Sequence, residues 1–254
     1  FAGHVSNLVR IRHALTNAYQ TIDHADGYIE GLVPESAGIN PTENGFFGYN
    51  FTDLADPNTI SELVALSKEN KVWVVPTQSL FERWFSPIPA EELVAQKEMQ
   101  YMSPQTRENW VNSKNNLTKA DNFDEAKWKQ FNQIRYQLIK ALHEDGQGLL
   151  MGSDAPQVFN VPGFSIHHEM QGMLTAGLRP LEILQTGTLN PALYFDGNFG
   201  DIEVGMEADL ILLRENPLED LNHMKNPLGV MARGQWIDEK MIKEKLSQIA
   251  NKHK

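Results

Sequence analysis

Apolar positions along the chain come in short blocks separated by longer amphipathic stretches. Phe1 to Val5 is a brief apolar run around a glycine, and Leu8, Ile11 and Leu15 then recur at helical spacing before a second run, Thr21 to His24. This predicts strand, helix, strand. The Gly/Pro/Asn-rich stretch from Gly27 to Pro57 is too long for an ordinary connection and reads as a functional lid or an insertion. Asp56 or Asn58 is placed to cap a helix carrying Leu63, Val64 and Leu66. Lys71 to Pro76 is a near-continuous apolar run ended by proline, which predicts a third strand buried on both faces.

From Ser79 to Asp121 the chain is polar with scattered aromatics (Phe81, Trp84, Phe85, Tyr101, Trp110) and reads as short helices and loops. Helical periodicity returns from Phe123 to Glu144 through Trp128, Phe131, Ile134, Leu138 and Leu142. Gly146 and Gly148 end it, and Leu149 to Met151 is the predicted fourth strand. Ile166, Met170, Met173 and Leu174 mark a helix stopped at Gly177, and Pro180 begins another. Short strands alternating with helices predict a parallel sheet with crossover helices. After Pro191 the pattern changes: Asp209 to Arg214 and Val230 to Ile237 are strand-like, and Asp238 to Ala250 predicts a terminal helix with Met241, Ile242 and Leu246 inward.

Composition narrows the chemistry. The 254 residues are 41% hydrophobic, enough for a real core. The formal charge of −11 is the wrong sign for a surface that grips nucleic acid or anionic lipid through phosphates. Zero cysteines exclude disulfides, thiolate zinc sites and a cysteine nucleophile, so any metal has to be held by His, carboxylate or modified Lys. No run approaches the roughly 18 apolar residues of a membrane span. Both a cytoplasmic and an exported location are compatible with the sequence.

Three of the four predicted strands end in a metal-competent side chain: His4, His24 and, within Met-Gly-Ser-Asp-Ala-Pro, Asp154. In a parallel α/β barrel the C-terminal strand ends converge on one mouth, where active sites sit. Singly, each has an ordinary reading: a histidine after a strand is usually a hydrogen-bonding partner, and Gly-Ser-Asp-Ala-Pro is compatible with a turn and cap. Their recurrence at equivalent strand ends favours a shared site.

Gly3-His4-Val5, Thr21-Ile22-Asp23-His24 and Gly152-Ser153-Asp154-Ala155-Pro156 resemble the metal-binding strands five, six and eight of the amidohydrolase superfamily. Ser165 to Glu169, Thr188 to Ala192 and Gly200 to Leu210 match as well, the last resembling the segment that leaves the barrel and rejoins a small β-sandwich. The resemblance is strongest to the imidazolonepropionase-like and Xaa-Pro dipeptidase-like branch. It implies the C-terminal half of a (β/α)8 TIM barrel over residues 1–195, with β-sandwich return strands and a terminal helix over 196–254. It also implies one or two divalent ions, zinc foremost, with His4, His24 and Asp154 as ligands and Asp154 as general base. A metal-activated water would then cleave a C–N bond of a dipeptide or a cyclic amide. The family's His-x-His pair and carboxylated lysine have no match here, so the remaining ligands are expected in an N-terminal half of the same protein, the foremost expected partner. A homo-oligomer is compatible with this reading.

Tyr28, four residues beyond His24, is a candidate contact for a substrate carboxylate. His167 and His168, just after the fourth strand, are candidate substrate contacts, although a polar helical face explains them at least as well. Asp26 and Glu30 read as solvated, Arg10, Arg12 and His13 as a solvent face, and Trp73 and Trp128 as core. The competing function is a catalytically inactive amidohydrolase-like binding or assembly module, against which the presence of His4, His24 and Asp154 argues. A phosphoesterase is weaker still, for there is no glycine-rich phosphate cradle.

Overall fold

The structure, a computed structural model, describes residues 1–119 and 123–253. Asp121, the expected end of the polar stretch, lies outside them. Strand β1 (Ala2–Gly3) pairs in parallel with β2 (Thr21–Asp23), and between them runs α1 (Ile11–Thr16), whose buried face is Ile11, Ala14 and Leu15. Helix α1 starts later than the periodicity suggests, and Leu8 is exposed in the turn before it. Next come α2 (Tyr28–Gly31), α3 (Ile60–Glu69) and β3 (Trp73–Val75), which pairs in parallel with β2 and sets Ile22 opposite Val74. Asp56 does cap: its Oδ1 accepts the Asn58 N–H at 3.0 Å in the turn that leads into α3.

The predicted fourth strand is reduced to one parallel bridge, Val74 with Leu149. The Leu150 N–H donates to the Val74 carbonyl at 2.9 Å, but the Met151 N–H turns away to the Thr186 carbonyl at 2.9 Å, so the ladder stops after a single step. The order β1-β2-β3 is sequential, each strand pairing with the next along the chain. One core joins Ile22, Val74 and Leu149 to Ile11, Leu63, Leu138, Met173 and Ile183.

The polar stretch folds into α4 (Gln78–Arg83), α5 (Ala90–Val94) and α6 (Pro104–Thr118), followed by the long α7 (Glu125–Glu144). Ala90, Leu93, Met99 and Trp110 form a second, smaller core with Val158, Phe159 and Val161. Lys114 is buried here. Its Nζ donates to the carbonyls of Arg83, Trp84 and Ser86 at 2.7, 3.1 and 2.8 Å, satisfying acceptors that the end of α4 leaves open. The Gly27 to Pro57 stretch is ordered by short 3-10 turns, and the Tyr49 hydroxyl donates to the Asp124 carbonyl at 2.9 Å, tying the loop to the start of α7.

Helices α8 (Ser165–Thr175), α9 (Pro180–Thr186) and α10 (Leu189–Phe195) complete the helical layer. Beyond it, β4 (Leu210–Leu212), β5 (Gly229–Ala232) and β6 (Gln235–Asp238) form an antiparallel sheet, and α11 (Glu239–Asn251) closes the chain. The single run predicted from Val230 to Ile237 is therefore a hairpin. Ala232 pairs with Gln235 around Arg233-Gly234, both with positive φ, the conformation a two-residue hairpin loop requires. Met241, expected inward on α11, is exposed, while Ile242 and Leu246 are half-buried. Leu210, Ile211, Leu212 and Trp236 leave this sheet with exposed apolar surface. No helix among the described residues is long and apolar enough to cross a membrane.

Gly148 connects α7 to the parallel sheet at φ +130°, where an added Cβ would lie 2.6 Å from the Trp73 ring. Gly148→Ala is expected to destabilise the fold by about 3 kcal/mol through strain and overpacking, read as a lowered midpoint in denaturant unfolding. A change below about 0.5 kcal/mol would mean that this junction relaxes freely.

Candidate active site

Neighbouring strands β1 and β2 end at Gly3 and Asp23, so His4 and His24 emerge side by side at one end of the sheet. Their ring centroids are 4.6 Å apart. His4 Nδ1 lies 3.1 Å from Asp26 Oδ2, which also accepts the Val5 N–H at 3.1 Å. His24 Nδ1 lies 2.7 Å from Thr77 Oγ1. Each ring thus has Nδ1 engaged by a side-chain oxygen, with Nε2 left over for other work. The two differ in access: the His4 side chain is 63% exposed, whereas His24 is buried.

Burial, with help from His4 and Arg135, pulls the His24 imidazole down to about 3, so it is neutral over the physiological range. Asp154 stands at the end of the bridged fourth segment in a left-handed conformation, φ 53°. Partial burial raises its carboxyl, opposed by the charge of His4 and reinforced by Asp23. The turn under Asp154 is braced by Ser153 Oγ on Ser165 Oγ at 2.8 Å and by Asn160 Nδ2 donating to the Ser153 carbonyl at 2.8 Å.

Several placements differ from expectation. Tyr28 is completely buried in the main core, where it cannot meet a substrate carboxylate, because α2 turns its face inward against α1 and α3. Asp26 is buried against His4, not solvated, and Glu30 is half-buried with its Oε1 accepting from Asn44 Nδ2 at 2.6 Å. His168 Nε2 is bonded to Glu98 Oε1 at 2.9 Å, which ties α8 to the inserted helices. His167 is half-buried, and burial together with Lys225 and His168 pulls it down to about 4. His168 is thus paired with Glu98, and His167 Nδ1 is buried without a hydrogen-bond partner; no hydrogen bond or ring contact among the described residues joins either to the His4–His24 pair.

Other residues at the site carried no such signal. Asp23 and Asp26 flank His24 in sequence, and the Thr-Ile-Asp-His-Ala-Asp run is the only hint of them. Phe47 comes from the long loop and packs on both imidazoles, with ring centroids 5.8 Å from His4 and 5.1 Å from His24. Thr77 and the fully buried Arg135 lie 53 and 111 residues from the histidine they contact. Only folding brings them there.

The donors fit a divalent ion as a pair: two adjacent imidazoles, one neutral through burial, each oriented by an oxygen on Nδ1. Among the described residues no group of three or more His, Asp or Glu converges at ligand spacing. Since protein sites for such ions use three or four ligands, the pair requires further donors to complete one.

A family model described as the amidohydrolase family matches residues 94–237. The chain belongs to the amidohydrolase family. Among solved structures, bottromycin amidohydrolase is 21% identical with a TM-score of 0.68, the match covering 99% of this chain and 53% of that one. Ochratoxinase of A. niger is 20% identical with a TM-score of 0.53, covering 90% and 39%. A Xaa-Pro dipeptidase is 19% identical with a TM-score of 0.50, covering 90% and 42%. This amidohydrolase chain therefore shares their mixed α/β fold and spans between 39% and 53% of their lengths. No curated protein matches the sequence.

Below the imidazoles of this amidohydrolase chain, Glu169 is completely buried and accepts the N–H groups of Gln78 and Ser79 at 2.9 and 2.8 Å. Burial raises its carboxyl from the ordinary 4.5 to about 7, outweighing those hydrogen bonds. Between these values the folded chain holds a proton that the unfolded chain has lost, so this group makes stability fall as pH rises from 4.5 to 7. Glu169→Gln, which cannot titrate, is expected to remove up to about 1.4 kcal/mol per pH unit of that slope in unfolding measurements. Parallel profiles for the two proteins would show that Glu169 does not titrate there.

Proposed function

We propose that this chain forms part of a metal-dependent amidohydrolase that hydrolyses a C–N bond, in a dipeptide or a cyclic amide. The observation that carries the reading is the His4–His24 pair, held side by side at adjacent strand ends with both Nδ1 atoms engaged. In this reading the parallel sheet supplies barrel strands five to eight, residues 1–195 and 196–254 are two domains, and further ligands come from an N-terminal half of the same protein. The exposed apolar surface of β4 and β6 and the matched lengths support that partner. Xaa-Pro dipeptides are the first substrates to test, in keeping with the fold shared with a Xaa-Pro dipeptidase.

His4 and His24 would hold the ion, zinc foremost, through Nε2, with the remaining ligands from the N-terminal half; Asp154, expected as a third ligand, does not converge with them at ligand spacing among the described residues and is assigned here the role of base. When bound, the ion supplies Lewis acidity and lowers the pKa of a water molecule at the mouth. Asp154 takes the proton of the attacking water as its oxygen adds to the carbonyl carbon. It then delivers that proton to the nitrogen as the C–N bond breaks, leaving a carboxylic acid and an amine. Asp154 suits the role because it is exposed at the mouth and its carboxyl is raised toward the range of a useful base. Phe47, packed on both rings, would help keep water from the buried His24 imidazole.

In the complete protein, Asp154→Asn is expected to keep most of its metal by elemental mass spectrometry while losing turnover of Xaa-Pro dipeptides and cyclic amides by about 10²-fold or more. His24→Ala is expected to lose metal. If the complete protein held no metal after reconstitution with zinc or manganese, the binding-module reading would replace this one. Near-normal turnover in Asp154→Asn would remove Asp154 as base.

A further inference from the structure

His24 is held on every side but one. Its N–H donates to the Val75 carbonyl at 2.7 Å, its carbonyl accepts from Arg135 Nη1 at 2.9 Å, and its ring lies against His4 and Phe47. Thr77 Oγ1 occupies Nδ1 at 2.7 Å. The atom left without a protein partner among these contacts is Nε2.

The same guanidinium controls Thr77. Arg135 Nη2 donates to the carbonyl of Pro76 and Nε to Oε1 of Gln78, each at 2.9 Å, so the residues on both sides of Thr77 and the histidine it contacts are tied to one planar group. Arg135 itself cannot drift. It is buried, lies over the Phe81 ring at 3.4 Å, and is anchored on α7, while Glu169 fixes the Gln78 and Ser79 amides from α8.

The backbone supplies an independent argument. Thr77 sits at φ 46°, and His24 and Ala25 at φ 62° and 51°, conformations that cost non-glycine residues on the order of 1 kcal/mol or more each. Glycine would serve the turn at position 77 without that cost. What threonine adds is a hydroxyl, and its hydrogen-bond partner here is the His24 ring.

We propose that Thr77 and Arg135 are positioning residues: Arg135 locks the β2 and β3 turns together so that the Thr77 hydroxyl holds the His24 ring by Nδ1 and presents Nε2 at the mouth. The inference rests on the reading of His24 as a ligand only for its functional consequence. The positioning itself is a property of the ring and can be measured without metal.

The test uses the complete protein stripped of metal, with zinc alone as the probe and histidine-selective ¹⁵N labelling to report the His24 ring. Thr77→Val keeps the branched shape at the strained position and removes the hydroxyl, whereas Thr77→Ser keeps the hydroxyl. In Thr77→Val the ring ¹⁵N shifts of His24 are expected to move and zinc affinity to fall by about tenfold or more, and Thr77→Ser is expected to restore both. Unchanged ring shifts in Thr77→Val would overturn the proposal whatever zinc does. Altered ring shifts with unchanged zinc affinity would uphold the positioning and remove His24 as a ligand. Arg135→Lys, whose single ammonium cannot reproduce the planar fork, is expected to alter the same ring signals. If the valine variant does not fold, Thr77→Ala against Thr77→Ser makes the same comparison.

Discussion

One buried guanidinium joins the parts of this chain that matter for chemistry. Arg135 reaches from α7 to the carbonyls of His24 and Pro76 and to the side chain of Gln78, bonding the turns that follow two adjacent strands. A buried cation left without acceptors is costly, so the loops have to close around it in one arrangement. Burial draws the group down only to about 9, which leaves it charged at neutral pH and able to make all three bonds. The left-handed residues at 24, 25 and 77 are affordable because this anchor over-determines them.

The surrounding layers serve the same turns. Glu169 grips the first amides of α4, and Lys114 collects the carbonyls at its far end, so a helix of six residues is held at both termini by buried ionisable groups. The inserted helices α5 and α6, with their own small core, bring Glu98 to His168 and cover Arg83. The long loop after β2 is tied to α7 through Tyr49 and delivers Phe47 to the imidazoles. The pair at the mouth is therefore touched by three separate parts of the chain, the loop carrying Phe47, the turn carrying Thr77 and α7 through Arg135.

The molecule's surface carries a different constraint. A parallel sheet of three strands with one further bridge has edges that offer unpaired backbone groups, and the antiparallel sheet exposes Leu210 to Leu212 and Trp236. Such surfaces are stable in water chiefly when something covers them.

Much of the architecture could be read from local pattern. Apolar runs at Thr21 to His24 and Lys71 to Pro76 mark strands, and the periodicity from Phe123 to Glu144 marks α7, because period and burial are properties of neighbouring residues. His4, His24 and Asp154 were visible for the same reason: each follows an apolar run directly. Tertiary structure decided what no local pattern encodes. It buried Tyr28, drew Asp26 onto His4, cut the fourth strand to a bridge through the Thr186 carbonyl, and brought Thr77 and Arg135 to His24. Those outcomes depend on which donor finds which acceptor across tens of residues, and such pairing is settled only when the core has packed and water is gone.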